Sequence, residues 1–355
     1  MRVLCLSKKW NHHTASGGYD RLVAEVGADE VRRRPLPKIP SRLLKIALKV
    51  FGLYPPYLLD YRFEDLRAEK ELLARASREH PDVVHVLYGD EQLDLLLRST
   101  EPLPCPLVVS FHLPTFRAQA RFDAMAPKRM ARIDAVVVLA KFQLTDYRKW
   151  FRADQLLYVP HGIDTVRFCP PATRPEKREI RLATVGTHMR DFAVIERVVQ
   201  YFENRDVPVR FDVVDSYGHC LFLSKYKKVH LHNKLSEDDL IKLYQNADAL
   251  LLPVISATAN NSALESLACG TPVISTAIEG MPDYVDPASG WLFPKGEADG
   301  MTRLIEKAVE DPTIFSALRT GARKKSLEFS WDQVAARMRE VYQEVSVKCK
   351  GTSGQ

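Results

Sequence analysis

The chain has 355 residues, 46% of them hydrophobic and 27% charged, with a net charge of +6. This balance excludes a largely disordered chain, and the length favours two compact domains over one. No run approaches the roughly 18 apolar residues that span a membrane, so no transmembrane helix is expected.

The first half of the chain is more basic than the second. Residues 1–150 hold 25 Lys and Arg against 18 Asp and Glu, a net charge of +7, whereas the remainder is close to neutral. A basic half favours an anionic acceptor or a membrane surface as partner, and we expect no nucleic acid because nucleic-acid-binding motifs are missing. Arg32–Leu59 contains a basic amphipathic helix that fits either a peripheral membrane contact or an ordinary surface helix.

The spacing of cysteine and histidine predicts neither disulfides nor a metal site. Six cysteines are scattered without a CxxC pattern, which is typical of a reducing, cytoplasmic location. His230 and His232 lie two residues apart without a third ligand nearby, and His12-His13 is a bare pair.

Short runs rich in Val, Ile and Leu recur between stretches of helical periodicity. They do not alternate apolar with polar residues, as expected of strands buried on both faces of a parallel sheet. The predicted strands of the first half are Arg2–Ser7, Val83–Tyr88, Pro106–His112, Ala135–Ala140 and Leu156–Pro160. Those of the second half are Ile180–Gly186, Val209–Val214, Val229–His232, Ala249–Val254, Pro272–Ser275 and Trp291–Phe293. This alternation predicts an α/β protein with two doubly wound domains.

The domain boundaries follow from composition and helix signals. The proline-rich, charged segment Cys169–Arg181 predicts a linker, so the two domains are expected to be residues 1–168 and 169–329. Ser236 is at capping-box spacing from an acidic residue and begins a predicted helix. A last amphipathic helix, residues 330–347, is expected to pack back onto the N-terminal domain.

Ligands of doubly wound sheets bind beyond the carboxyl ends of the strands, so the residues that follow the strands are candidates. Gly17 and Gly18 follow the first strand and let the backbone approach a ligand, although a glycine pair also suits a plain turn. His112 and His161 stand at the ends of two further strands. His112 could donate to a sugar hydroxyl or a phosphate, or it could bond only to a neighbouring loop.

In the second half, Gly186 ends a strand and is followed by Thr187, His188 and Arg190. An arginine binds phosphate oxygens through its planar fork, and a glycine leaves room for a ligand. The alternative is a helix cap accompanied by a surface pair of Arg190 with Asp191.

Pro253–Thr276 is the most informative stretch, because it predicts a strand, a loop and a helix that begins near Ser262. The amides of Asn261, Ser262 and Ala263 would be unpaired at the helix start, where the dipole favours a pyrophosphate. Glu265 could accept hydrogen bonds from both hydroxyls of a ribose. The spacing of Ser262 and Glu265 also fits a capping box, which needs no ligand.

These motifs resemble the retaining, GT-B-fold glycosyltransferases of family 4 over nearly the whole chain. The matching segments are the Gly17-Gly18 loop, VPHGIDTVRF at 159–168, Gly186, ALESLACGTPVIST at 263–276 and FSWDQVAARMREVY at 329–342. The resemblance implies two Rossmann-like domains that face a cleft. It also implies a nucleoside diphosphate sugar as donor, UDP- or GDP-linked, with no separate cofactor and no metal.

The resemblance also implies roles for single residues. Arg190 would bind the phosphate, Glu265 the ribose, and Lys234-Leu235 would lie beside the base. The amides of Asn260, Asn261 and Ser262 would contact the diphosphate, and His112 would lie near the transferred sugar.

The chain departs from the family pattern at Ala257, which stands where the first glutamate of an E-x7-E pair ending at Glu265 should be. A companion lysine after Arg190 is also replaced. The expected activity is transfer of a hexosyl unit to a hydroxyl acceptor with retention, and glycan, lipid-linked and small-molecule acceptors all fit. A sugar-nucleotide 2-epimerase and a non-catalytic nucleotide-sugar-binding subunit are the alternatives.

Overall fold

The computed structural model describes residues 1–9, 17–34, 63–99, 103–125, 127–174 and 179–352. The chain forms two compact units. Unit 1 contains the described residues of 1–9 and 18–161 together with those from Asp332 onward, and unit 2 contains Gly17 and residues 162–331. The basic helix predicted within Arg32–Leu59 lies outside the described residues.

Unit 1 is built on a six-stranded parallel sheet in the order β2-β1-β3-β4-β5-β6. Its strands are β1 Val3–Ser7, β2 Asp29–Arg32, β3 Val83–Val86, β4 Leu107–Phe111, β5 Ala135–Val138 and β6 Leu156–Tyr158. Its helices are α1 Leu22–Val26, α2 Phe63–Glu79, α3 Asp94–Arg98, α4 Thr115–Ala124, α5 Pro127–Met130 and α6 Lys141–Asp146. Short 3-10 turns lie at Tyr19–Arg21, Tyr147–Lys149 and Ala153–Gln155.

Unit 2 is built on a second six-stranded parallel sheet, in the order β12-β11-β10-β7-β8-β9. Its strands are β7 Ile180–Val185, β8 Val209–Val214, β9 Val229–His232, β10 Ala249–Leu252, β11 Val273–Thr276 and β12 Gly290–Phe293. Its helices are α7 Phe192–Glu203, α8 Glu237–Asn246, α9 Asn261–Ala268, α10 Met281–Tyr284, α11 Ala298–Glu310, α12 Thr313–Ser316 and α13 Arg319–Leu327. A 3-10 turn lies at Leu221–Lys225, and the last helix, α14, runs over Trp331–Thr352.

The predicted fold class is confirmed, because both sheets are parallel and carry helices between successive strands. Every predicted strand is present, with ends that shift by at most two residues. The central strands are buried along their whole length, which is why their sequences show no alternation. Apolar side chains pack on both faces of the second sheet, in two separate clusters.

One strand, β2, was missed by the sequence analysis. It is the edge strand of the first sheet, and three of its four residues, Asp29, Glu30 and Arg32, are charged. Only Val31 is buried. An edge strand that exposes most of its side chains carries no apolar run, so the pattern used for the other strands cannot detect it.

The predicted helix start at Ser236 is confirmed. Ser236 is the N-cap of α8, and its hydroxyl accepts a hydrogen bond from the amide of Asp239 at 3.1 Å. The segment expected to be a linker is anchored to unit 2 through Arg174. Its guanidinium donates to the carbonyl of Gln245 at the end of α8, at 2.7 Å, and to that of Cys269 after α9, at 3.0 Å.

Within the described residues, no helix has both the length and the apolarity needed to cross a lipid bilayer. Cys5, Cys105, Cys169, Cys220 and Cys269 are free thiols.

The part of α14 from Asp332 onward belongs to unit 1. Its apolar stripe is buried, and Tyr342 in that stripe is fully buried. The Tyr342 hydroxyl lies 2.7 Å from Nδ1 of His85 on β3, and Nε2 of His85 lies 2.8 Å from the hydroxyl of Ser110 on β4. Burial, and then the nearby His112, lower the pKa of His85 to about 3, so this imidazole is neutral and uses one nitrogen as donor and the other as acceptor.

We predict that Tyr342→Phe destabilises unit 1 by about 1–3 kcal/mol, because Nδ1 of the buried His85 loses its partner. Urea unfolding followed by circular dichroism would measure the change. Tyr217→Phe is the control, since 61% of Tyr217 is exposed. Equal stability of the Tyr342 variant and the wild type would contradict this role for the buried hydroxyl.

Candidate functional site

The strand order of unit 2 defines where a ligand can enter. The chain builds β7, β8 and β9 toward one edge and then returns to place β10 on the other side of β7. The loops that leave β7 and β10 therefore diverge at their carboxyl ends, which is the topological switch point where ligands of such sheets bind. The residues singled out around Arg190 and Ser262 follow these two strands.

The loop after β7 is fastened to the segment after β10. The amide of Asp191 donates to the carbonyl of Pro253 at 2.9 Å, and the amide of Ile255 donates to the carbonyl of Met189 at 3.0 Å. Met189 has a φ of +55°, a conformation that is unusual for a residue other than glycine. These constraints fix the position of Arg190 beside the start of α9.

The Arg190 guanidinium is held mainly by backbone carbonyl groups. Its Nη2 donates to the carbonyl of Val185 at 2.9 Å, and its Nη1 donates to the carbonyl of His188 at 3.0 Å. Its Nη2 also donates to the hydroxyl of Ser262 at 3.1 Å. Burial lowers the pKa of Arg190 to about 10, so the group remains cationic at neutral pH. Val185 and Ser262 thus hold a positive charge that no carboxylate of the described residues contacts directly.

The helix α9 begins one residue earlier than expected, with Asn260 as its N-cap. The side-chain oxygen of Asn260 accepts a long hydrogen bond, 3.3 Å, from the amide of Ala263. The expectation that the Ala263 amide is unpaired was therefore wrong. The amides of Asn261 and Ser262 lie in the first turn, where no partner exists within a helix, and the helix dipole is positive there.

The capping-box alternative for Ser262 and Glu265 was also wrong. Ser262 lies inside the first turn, and its hydroxyl donates to the Val185 carbonyl at 3.2 Å rather than capping the helix. The alternative for Arg190 and Asp191 was a helix cap accompanied by a surface pair between the two side chains, and only the helix cap is observed. Asp191 accepts from the amide of Val194 at 3.1 Å and caps α7, while Arg190 turns toward β7.

Glu265 lies in the first turns of α9 and is 5% exposed. Its Oε2 accepts a hydrogen bond from the hydroxyl of the fully buried Tyr244 at 2.9 Å, and Oε1 has no hydrogen-bond partner among the described residues. Burial raises the pKa of Glu265 to about 7; Glu237 adds to this, while the Tyr244 hydroxyl and the Arg190 charge oppose it. The sequence analysis did not single out Tyr244, and nothing in the spacing of the sequence pointed to this contact.

The remaining candidates of unit 2 lie around this centre. Thr187 is half-buried, and His188 contributes its carbonyl to Arg190 while its side chain is exposed. Lys234 is exposed and Leu235 packs against the core just before α8. The carbonyl of Gly17, which belongs to unit 2, accepts a hydrogen bond from the side chain of Asn261 at 2.9 Å.

A second cluster of candidates lies in unit 1 around Tyr19, which the sequence analysis did not single out. The ring of His112 is 4.7 Å from that of Tyr19, and the ring of His161 is 5.4 Å from it, between centroids. Gly18 directly precedes Tyr19 and is the N-cap of its 3-10 turn. Nε2 of His112 lies 2.7 Å from the Leu87 carbonyl, so the expected contact with a neighbouring loop is present.

Within the described residues, no group of three or more His, Cys, Asp and Glu side chains could hold a metal ion. His232, one member of the predicted histidine pair, lies with its Nε2 2.8 Å from a carboxylate oxygen of Asp212.

A guanidinium and a helix start thus meet at the switch point of a doubly wound sheet, an arrangement that suits an anionic ligand in an α/β protein. Two family models match this chain. The one described as Glycosyltransferase Family 4 matches residues 15–167, and the one described as Glycosyl transferases group 1 matches residues 218–325. The two matches together span most of the chain, and the chain belongs to family 4 of the GT-B-fold glycosyltransferases.

Individual relatives are glycosyltransferases as well. The chain is 25% identical over 307 residues to the MMP alpha-(1->4)-mannosyltransferase of Mycolicibacterium hassiacum, which covers 78% of this chain and 74% of that protein. It is 30% identical over 116 residues to the D-inositol 3-phosphate glycosyltransferase of Saccharomonospora viridis. That match covers 32% of this chain and only 27% of the relative.

Solved structures share the fold at low sequence identity. Sucrose-phosphate synthase from Thermosynechococcus elongatus has a TM-score of 0.72 and 17% identity, and the match covers 98% of this chain and 100% of that one. The Anabaena protein HepE in complex with UDP and glucose has a TM-score of 0.68 and 13% identity, with 97% and 100% covered. The predicted GT-B fold is thereby confirmed.

We predict that Gly186→Ala weakens the binding of anions at the Arg190 guanidinium. Gly186 has a φ of +77°, and an added Cβ would lie 3.1 Å from Nη2 of Arg190. Gly296→Ala is a matched control, because Gly296 has a φ of +79° and open space around its Cβ position. Both variants should lose about 1 kcal/mol of stability to backbone strain.

Only the Gly186 variant should also bind UDP or GDP several-fold more weakly by isothermal titration calorimetry, because only it displaces the Arg190 side chain. If both glycine variants bound nucleotide equally well, the arrangement of Arg190 would not matter for binding.

We also predict a pH dependence of stability that originates at Glu265. The folded pKa of about 7 exceeds the ordinary value of 4.5, so the folded state holds the proton more tightly than the unfolded state. The stabilisation that this proton gives is fully present below the ordinary pKa. It is lost as the pH rises through the folded pKa, and the loss is on the order of 3 kcal/mol. In the Glu265→Gln variant, this loss of stability with rising pH should be absent.

Urea unfolding of wild type, Glu265→Gln and the exposed control Glu310→Gln at about pH 5 and about pH 8 would measure the difference. An identical change with pH in all three proteins would exclude Glu265 as its source.

Proposed function

We propose that this glycosyltransferase moves a hexosyl unit from a nucleoside diphosphate sugar to a hydroxyl acceptor, with retention and without a metal ion. The single observation that carries the proposal is the Arg190 guanidinium, 3.1 Å from the Ser262 hydroxyl at the start of α9. A diphosphate is the part of such a donor that this arrangement fits.

The leaving diphosphate is the species that needs stabilisation. Its negative charge would be neutralised by the Arg190 guanidinium and by the amides of Asn261 and Ser262 at the positive end of the helix dipole. Because the carbonyls of Val185 and His188 already hold the guanidinium, little reorganisation is needed when the charge develops. In this proposal the positive charge comes from Arg190 and the helix.

Glu265 is proposed to bind the ribose of the donor. Its Oε1 has no hydrogen-bond partner among the described residues, while the Tyr244 hydroxyl fixes Oε2 at 2.9 Å. A carboxylate can accept from neighbouring ribose hydroxyls, and the fixed oxygen sets the orientation of the group. Gly186, Thr187 and His188 would line the same side of the donor, with Lys234-Leu235 beside the base.

Retention requires that the new bond forms on the face from which the leaving group departs. The acceptor hydroxyl oxygen would bond to the anomeric carbon while the bond from that carbon to the diphosphate oxygen breaks. The hydroxyl proton would pass to an oxygen of the leaving phosphate, so the protein need not supply a base. The chain's main contribution would be electrostatic stabilisation of the departing phosphate.

Unit 1 is proposed to bind the acceptor, and His112, His161 and Gly18 around Tyr19 are proposed to face the donor and its transferred sugar. The net charge of +7 on residues 1–150 favours an anionic acceptor. The relatives named D-inositol 3-phosphate glycosyltransferases carry a phosphate in the acceptor that their name states, which supports this direction. Glycans, lipid-linked molecules and small molecules all fit as acceptors. We also propose a cytoplasmic location, with a peripheral membrane contact through Arg32–Leu59.

We predict that Arg190→Ala lowers the affinity for UDP or GDP by about 10- to 100-fold, the value of one or two charge-assisted hydrogen bonds. Arg190→Lys should restore little, because an ammonium lacks the planar fork whose separate nitrogens bond to the carbonyls of Val185 and His188. Arg197→Ala is the control, since Arg197 is exposed on α7 and pairs with Asp299 at 3.0 Å.

Calorimetry with UDP, GDP, ADP and their sugars would measure affinity, and product analysis with and without acceptors would measure turnover. Unchanged affinity and turnover in the Arg190 variants would remove this site assignment. An epimer of the donor formed without an acceptor would identify an isomerase instead.

A further inference from the structure

A carboxylate reaches the loop between β10 and α9 from a different part of the chain. Glu279 follows β11, and its Oε2 accepts hydrogen bonds from the hydroxyl of Ser256 at 2.6 Å and from the amide of Ala257 at 2.8 Å. The amide of Gly280 in turn donates to the carbonyl of Ala257 at 2.9 Å. The peptide groups on both sides of Ala257 are therefore fixed by neighbouring residues of one turn.

The backbone of Glu279 is strained. Its φ is +47°, in the left-handed region that glycine adopts freely and other residues avoid. A glycine at this position would give the same turn without that cost. Strain of this kind persists where the surrounding structure imposes it, and it is found most often at binding sites. Here the strained residue is the one whose carboxylate contacts the loop.

The same loop contains a polar group without a partner. Thr258 is 5% exposed, and its hydroxyl oxygen is buried and makes no hydrogen bond with any described residue. Glu279 is half-buried, and its Oε1 also lacks a hydrogen-bond partner among the described residues. An unpaired buried hydroxyl is costly, so a ligand with both donors and acceptors would stabilise this loop.

The loop lies next to the proposed diphosphate site. Asn260, which caps α9, is only two residues beyond Thr258, and β10 and β11 are neighbours in the sheet, so both loops leave from the same edge. A sugar attached to a diphosphate at the start of α9 would lie within reach of these groups. Its hydroxyls donate and accept hydrogen bonds, which matches a carboxylate together with a threonine hydroxyl.

We propose that Glu279 binds hydroxyl groups of the donor hexose through its carboxylate, with Thr258 as a second contact. This inference rests on the proposed function and names the residue that recognises the sugar. Position 257 has only a methyl side chain, and Glu279 brings a carboxylate to the backbone of that residue from the next loop. The carboxylate is positioned by Ser256 and Ala257 before the sugar arrives.

Two substitutions separate sugar binding from a purely structural contact. Glu279→Gly removes the carboxylate and also relieves the strain at φ of +47°, so this variant should fold. Glu279→Gln keeps an oxygen that can accept from the Ala257 amide and removes only the charge. Glu297→Gln is the control, because Glu297 caps α11 by accepting from the Gly300 amide at 3.0 Å and lies outside this loop.

The measurement compares the affinity for a nucleoside diphosphate with the affinity for the corresponding sugar nucleotide, by calorimetry with UDP, GDP, UDP-glucose and GDP-mannose. Both Glu279 variants should bind the diphosphate within about twofold of wild type. Their affinity for the sugar nucleotide should fall by about tenfold, as for loss of a hydrogen bond to a charged group. The Glu297 variant should match wild type with both ligands.

Any other outcome would contradict either the role of Glu279 or the proposed function itself. If the Glu279 variants lose affinity equally for the diphosphate and the sugar nucleotide, or lose none, Glu279 does not recognise the sugar, and the proposed function stands. If wild type binds neither class of ligand, the proposed function is wrong, and the role of Glu279 is wrong with it.

Discussion

The geometry of the candidate site depends on one interaction, the hydrogen bond from the Arg190 guanidinium to the carbonyl of Val185 at the end of β7. A buried guanidinium without partners would be costly, and here carbonyl groups satisfy it instead of a carboxylate. No carboxylate in the described part of the chain pairs with it, which suits the binding of an anion proposed above. The left-handed conformations of Gly186 and Met189 bring the side chain back over the strand end that precedes it.

The sequence predicted the architecture well because the same physical constraint shaped every central strand. A strand buried on both faces must be apolar throughout, and such a run is visible without any knowledge of its neighbours. The edge strand Asp29–Arg32 escapes this constraint and was missed. Helix starts were predicted when the cap was a serine at the usual spacing, as at Ser236. The start of α9 was shifted, because Asn260, two residues before Ser262, offered an equally good cap.

The candidate site was predictable only where its residues follow a predicted strand in the sequence. Gly186 directly follows β7, and Arg190 and Ser262 lie in the segments that leave β7 and β10, so their neighbourhood in the sequence indicated their place at the sheet edge. The contacts of Glu265 with Tyr244 and of Glu279 with Ala257 join segments that are about twenty residues apart. No periodicity or motif encodes such contacts, because they depend on how helices and loops pack in three dimensions. Position 257 lacks a carboxylate in the sequence, yet its backbone contacts one in space.

The hydrogen bond between His85 and Tyr342 has a consequence for how the protein is made. His85 lies on the third strand of unit 1, and Tyr342 lies on the final helix, 257 positions later in the chain. The ribosome completes all of unit 2 before it releases that helix, and domains tend to fold as they emerge. The sheet of unit 1 therefore lacks the helix that packs against it for as long as unit 2 is being synthesised. Unit 1 is therefore the unit whose synthesis begins first and whose folding is completed last.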